Sequence, residues 1–152
     1  MRGFTERAID PVAELSINAL AAEVRRASAW VEKACLERQV PVDQIARLDV
    51  CLNEVLANII DYGGSTALSS PICLRLEVRR DHGGGEAALT VADAGAAFDP
   101  LTVSPPPRPA ALADARPGGL GLTMIHSFAD QLSYSHSEER NCLRIGVGWT
   151  NS

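Results

Sequence analysis

Three short stretches hold side chains at spacings that could do chemistry. In the first, Asn53-Glu54-Val55-Leu56-Ala57-Asn58-Ile59-Ile60-Asp61-Tyr62-Gly63, the residues Glu54, Asn58 and Asp61 stand at i, i+4 and i+7. Helical geometry puts them on one side, roughly 150° around the axis from the centre of the apolar residues at ~100° per residue. The plain alternative is the solvated side of an amphipathic helix. In the second, Val91-Ala92-Asp93-Ala94-Gly95-Ala96-Ala97-Phe98-Asp99-Pro100, an aspartate closes an apolar run and a glycine follows. It reads as a turn, or as an acceptor held in a pocket where glycine lets a flat ligand come close. In the third, Pro117-Gly118-Gly119-Leu120-Gly121-Leu122-Thr123, glycines open a helix, and backbone N–H groups there can face an anion. No Lys-Ser/Thr pair follows, so it is not a Walker A loop. The third glycine of a dinucleotide fingerprint is missing too.

These stretches need elements to position them. Ala13-Glu14-Leu15-Ser16-Ile17 alternates like a half-buried strand. Over residues 20–39 Val24, Ala27, Val31, Ala34 and Cys35 recur at helical spacing, and Pro41 punctuates the pattern. A second helix is predicted from Asp43, a good N-cap residue. It carries Ile45, Leu48, Leu52, Val55, Leu56 and Ile59 on one face and ends at Gly63-Gly64. Residues 72–80 alternate as a strand, 81–85 (Asp-His-Gly-Gly-Gly) read as a turn, and 87–92 return as the second strand of a hairpin. Five prolines fall in 101–117, so that segment reads as a long loop. A third helix is predicted from Gly118 to about Asp130, then a closing hairpin over 132–137 and 142–149. The order β-α-α-β-β-loop-α-β-β predicts an α/β (α+β) two-layer sandwich, with a mixed, largely antiparallel sheet and helices on one face. Residues 1–12 are expected to be an N-terminal extension, and 13–152 a single domain.

Composition narrows the function classes. Fourteen Lys and Arg against nineteen Asp and Glu leave the 152-residue chain at −5. An acidic chain without a basic cluster is not expected to contact nucleic acid directly. No apolar run approaches the ~20 residues of a membrane span, and the opening residues carry no signal-peptide core. A cytoplasmic protein is expected. Cys35, Cys51, Cys73 and Cys142 form no C-x-x-C pair and are expected to be reduced, mostly buried thiols. His82, His126 and His136 are scattered and read as surface or packing residues. Arg25-Arg26 reads as a solvated basic pair.

The ordered combination is more specific than any one stretch: Glu-x-x-x-Asn on a helix, Asp-x-Gly-x-x-Phe-Asp-Pro after a strand, a proline-rich loop, then Gly-Gly-Leu-Gly-Leu at a helix start. It resembles the Bergerat-fold (GHKL) ATPases, and most closely the bacterial anti-sigma-factor serine kinases, or switch-protein kinases, over about residues 13–149. The resemblance implies a Bergerat ATP-binding fold holding ATP or ADP under a mobile lid, here 101–117. It implies Glu54 as general base and Asn58 as the Mg²⁺ ligand. Asp93 would accept the adenine amino group, with Gly95 near the ring and Phe98 in the same motif. Gly118, Gly119, Leu120, Gly121 and Leu122 would line the phosphates, with Arg116 reaching the γ-phosphate. Asp61 and Tyr62 also fall in the nucleotide site, where relatives often carry a basic or neutral residue and a histidine. The region of Arg25-Arg26 contributes to partner binding in the family.

The function expected from this resemblance is an ATP-dependent protein serine kinase and anti-sigma factor in a partner-switching system. It would phosphorylate a STAS-domain anti-anti-sigma protein and sequester a sigma factor or other output protein, as a homodimer. The alternative is a nucleotide-gated protein-binding module without kinase turnover. The retained Glu54 favours the enzyme. The catalytic half of a sensor histidine kinase is disfavoured, because no phosphoacceptor helix pair precedes Ala13.

Overall fold

The structure is a computed structural model that describes residues 8–62, 64, 69–95 and 125–151. Its elements run β1 (Ala8–Ile9), β2 (Ala13–Ile17), α1 (Ala21–Glu37), α2 (Val42–Tyr62), β3 (Ile72–Asp81), β4 (Gly84–Asp93), β5 (Gln131–Ser137) and β6 (Arg140–Thr150). Every pairing among the described strands is antiparallel. β1 and β2 share one edge of β3, and the sheet continues β3-β4-β6-β5. It is therefore six strands in number and five in width, with the helices packed on one face.

The alternation that predicted the strands has a packing cause. In β3 Ile72, Leu74, Leu76 and Val78 are buried, while Cys73, Arg75 and Arg79 are exposed. The inward set meets Leu89 and Val91 from β4, Ile145 and Val147 from β6, Leu48, Leu52 and Leu56 from α2, and Val31 from α1. A period of two on the sheet and of 3.6 on the helices thus converge on one core. Residues 125–128 are helical, and Ile125 is buried in that core. Asp130 then ties this segment to β6, donating its N–H to Gly146 O at 2.9 Å and accepting from Gly148 N at 2.7 Å. Residues 118–124 of the expected third helix lie outside the described residues, as does the proline-rich segment 101–117, and the helix ends at Phe128, two residues short of the expected Asp130.

Three local details differ from the sequence reading, and the start of α1 adds a fourth that it did not address. α2 begins at Val42, so Asp43 is not its N-cap. It lies in the first turn and pairs with Arg47 at 3.2 Å. α1 has no side-chain cap at Leu20; instead Glu23, in its first turn, reaches back to accept from Asn18 N at 3.2 Å. Only His82-Gly83 form the β3–β4 turn, with Asp81 Oδ1 accepting from the Gly83 and Gly84 N–H groups at 2.7 and 3.1 Å. Gly84 and Gly85 belong to β4. A Cβ on Gly85 would fall 2.3 Å from the Trp149 ring, so this glycine serves close approach rather than the turn. Finally, part of the expected extension joins the sheet. Ala8–Ile9 pair with β3, Asp10 takes both carboxylate oxygens to Arg80 at 3.0 Å, and Pro11 O accepts from Arg38.

Among the described residues no helix is long and apolar enough to cross a membrane. All four cysteines are free: Cys35 and Cys51 buried, Cys142 half-buried, Cys73 exposed. Among the cysteines Cys73 is the exception to the expected burial, because it sits on the outward phase of β3.

Candidate active site

α2 lies along the sheet for its whole length, since Ile45, Leu48, Leu52, Val55, Leu56 and Ile59 are all buried against it. Gln44 near its start anchors that end to the sheet. Gln44 Nε2 donates to Gly148 O at 3.1 Å, and Gly148 pairs with Glu86 near the start of β4. Glu54 and Asn58 are half-buried, and Asp61 is exposed. The polar side of α2 is therefore partly sheltered where Glu54 and Asn58 stand. Burial pushes the Cys51 thiol up to about 11, and the Glu54 charge one turn away adds to the shift.

Behind Glu54 a polar cluster fixes α2 to α1. Ser28 Oγ donates to Asp49 Oδ1, and Asn53 Nδ2 donates to the same oxygen at 3.1 Å and to Asp49 O at 2.8 Å. On α1, Arg25 and Arg26 are both exposed; Arg26 pairs with Glu23 at 3.3 Å.

Asp93 is 7% exposed, one of two buried polar side chains among the described residues. Its Oδ1 accepts from Gly95 N at 2.8 Å, which bends the chain out of β4 and buries Gly95. The other buried polar residue is Asn141, its register partner on β6. Asn141 Nδ2 donates to Asp93 Oδ1 and to Gly95 O, each at 3.2 Å, and Tyr134 on β5 donates its hydroxyl to Asn141 Oδ1. Among the described residues both donors on the carboxylate reach Oδ1. The sequence reading missed Asn141 and Tyr134. A signal for Asn141 was present: it shares the inward phase of β6 with Leu143, Ile145 and Val147, and a polar side chain in an apolar phase needs a partner.

The structure brings Asp93 and Gly95 together at the end of β4, while Glu54, Asn58 and Asp61 lie in the C-terminal half of α2. Tyr62 is the last residue of α2. Phe98, Arg116, Gly118, Gly119, Leu120, Gly121 and Leu122 lie outside the described residues. No group of three or more His, Cys, Asp or Glu among the described residues could hold a metal ion. A cation at this site would depend on oxygen donors such as Asn58 together with ligands that the nucleotide and water bring.

The model of the histidine kinase-like ATPase domain family matches residues 17–147 of this chain. The chain belongs to that family. It is 33% identical over 132 residues to the serine/threonine-protein kinase BtrW of Bordetella bronchiseptica, covering 87% of this chain and 89% of that protein. The fold matches a crystal structure of the RsbU and RsbW domains of Rv1364c from Mycobacterium tuberculosis with a TM-score of 0.67 and 15% identity. That match covers 94% of this chain and 34% of the other, so this chain spans about a third of its length. The expected Bergerat fold and the resemblance to the serine-kinase branch both hold. Membership implies nucleotide binding.

Proposed function

We propose that this chain is an ATP- and Mg²⁺-dependent protein serine kinase of a partner-switching system, acting in the cytoplasm on a STAS-domain antagonist and sequestering a sigma factor or other output protein. The observation that supports the reading is the combination of half-buried Glu54 and Asn58, one turn apart on α2, with a buried Asp93 at the end of β4. Asp93 Oδ2 accepts from the amino group of adenine. Glu54 takes the proton of the attacking serine hydroxyl, the task of a positioned carboxylate. The Asn58 side-chain oxygen is a hard donor of the kind Mg²⁺ takes, and a bound Mg²⁺ supplies charge neutralisation on the phosphates. Kinship with a serine/threonine-protein kinase over most of both chains supports transfer to a hydroxyl.

The test incubates the protein with γ-labelled ATP and STAS-domain proteins from the same genome. Acid-stable label on a STAS serine supports the proposal. A tight complex that stays unlabelled sinks the kinase reading in favour of a nucleotide-gated binding module. Acid-labile label on the protein itself indicates a histidine kinase instead.

A further inference from the structure

The carboxylate of Asp93 does not stand alone; it is one corner of a closed hydrogen-bonded ring. Gly95 N donates to Asp93 Oδ1, Asn141 Nδ2 donates to that same oxygen, and Asn141 Nδ2 also donates to Gly95 O. Asp93 Oδ1 and Gly95 O are both acceptors. The group between them must carry two hydrogens, and an amide nitrogen does. The amide of Asn141 therefore has only one workable orientation: Nδ2 toward Asp93 and Gly95, Oδ1 toward β5. There the Tyr134 hydroxyl donates to Oδ1. Asp93 and Asn141 are 7% and 8% exposed, so water competes little for these bonds. The three side chains come from three neighbouring strands, β4, β6 and β5.

We infer that Asn141, braced by Tyr134, is a positioning residue that sets base selection: it occupies Asp93 Oδ1 and fixes Oδ2 as the acceptor for a purine exocyclic amino group. The inference rests on the reading of Asp93 as the base acceptor. A fixed carboxylate oxygen favours adenine, which carries an amino group at C6. It disfavours hypoxanthine, which carries a carbonyl at the same place and would set acceptor against acceptor. An unbraced carboxylate can turn away from the mismatch, so the penalty against hypoxanthine shrinks.

The experiment measures ADP and inosine diphosphate affinities by calorimetry for the full chain and for Asn141→Leu, Tyr134→Phe and Asp93→Asn. Inosine diphosphate differs from ADP only in the base, so the ratio of the two affinities isolates base reading. A general loosening of the domain lowers both affinities alike and leaves the ratio where it was. Wild type is expected to prefer ADP. Asn141→Leu and Tyr134→Phe are expected to narrow that preference by at least roughly threefold, the loss of a modest net hydrogen bond. Tyr134→Phe removes a single oxygen atom and decides the matter if Asn141→Leu does not fold. A wild-type ratio retained by the variants that fold overturns the role of the brace, while Asp93 keeps its own if Asp93→Asn abolishes the preference. A wild type without preference for ADP, or an Asp93→Asn variant that retains it, overturns the reading of Asp93 and the inference with it.

Discussion

Glu54 and Asn58 stand one helical turn apart on α2, both half-buried, and the proposal gives them different work. Their variants should therefore fail differently. Glu54→Gln keeps the size of the side chain and removes the base. ATP affinity should stay within about threefold, while transfer to serine falls roughly 10²–10⁴-fold, the span general-base catalysis supplies. Asn58→Ala removes an oxygen donor, so Mg²⁺-dependent ATP binding and transfer should fall together. Single-turnover phosphorylation beside nucleotide titration separates the two, and undiminished transfer by Glu54→Gln would remove its catalytic role. The sequence exposed these two residues because their spacing matches a helical turn, a local property. It exposed Asp93 because strand alternation stops there. It did not expose Tyr134, whose partner Asn141 lies across a hairpin and whose tie to Asp93 depends on β4, β6 and β5 lying side by side. Contacts that exist only through strand register leave little local trace.

At the scale of elements, alternation and helical period predicted β2–β6 and both helices, because each buries one face in a shared core. Boundaries were less legible where a residue type serves two purposes. Glycines at 84 and 85 read as turn formers, yet both lie in β4 under the end of β6. Gly85→Ala would bring a Cβ to 2.3 Å from Trp149 Cζ2 and 2.8 Å from the Arg79 carbonyl oxygen, and the latter is backbone that yields poorly. The expected cost is about 1–3 kcal/mol, read as a lower urea midpoint. Nucleotide affinity should be unchanged, because Gly85 and Asp93 occupy opposite ends of β4. The N-terminal strap makes a second prediction at this scale. Arg80 donates to both oxygens of Asp10 and to Gln39 Oε1 at 2.7 Å, so it joins β3, the strap and the α1–α2 turn. Gln39 holds a φ of 60° in that turn, while its N–H and that of Val40 cap α1 on the carbonyls of Leu36 and Cys35. Both members of the Arg80–Asp10 pair are about a quarter exposed, and solvent screens them. A double-mutant cycle on Arg80→Ala and Asp10→Ala should give a coupling of about 1 kcal/mol. A coupling of zero would mean that strand pairing alone holds the strap.

At the scale of the whole molecule, two thiols report on global unfolding. Cys35 on α1 and Cys51 on α2 are fully buried in the layer between the helices and the sheet. Burial pushes Cys35 from the ordinary value of 9.0 up to about 12, against a smaller opposing pull from Arg38. It pushes Cys51 up to about 11, with Glu54 adding to the rise. A raised folded value means that the native state holds its protons while the unfolded chain loses them above pH 9. Their contribution to stability is thus complete below pH 9 and is lost as pH rises toward 11 and then 12. Each thiol fully ionised in the unfolded chain and neutral in the folded one costs about 1.4 kcal/mol per pH unit. The two together should steepen the alkaline loss of stability by about 2 kcal/mol per unit near pH 10. Urea denaturation of the wild type and of Cys35→Ala/Cys51→Ala at pH 8 and pH 10 tests this. The double variant should be less stable at pH 8, because two small cavities open in the core, yet should lose less between the two pH values. Equal losses would show that these thiols already ionise in the folded protein. Reaction of the native protein with a disulfide reagent gives the independent check. Cys73 should react first, because it alone is exposed, and Cys35 and Cys51 should react only as the chain unfolds.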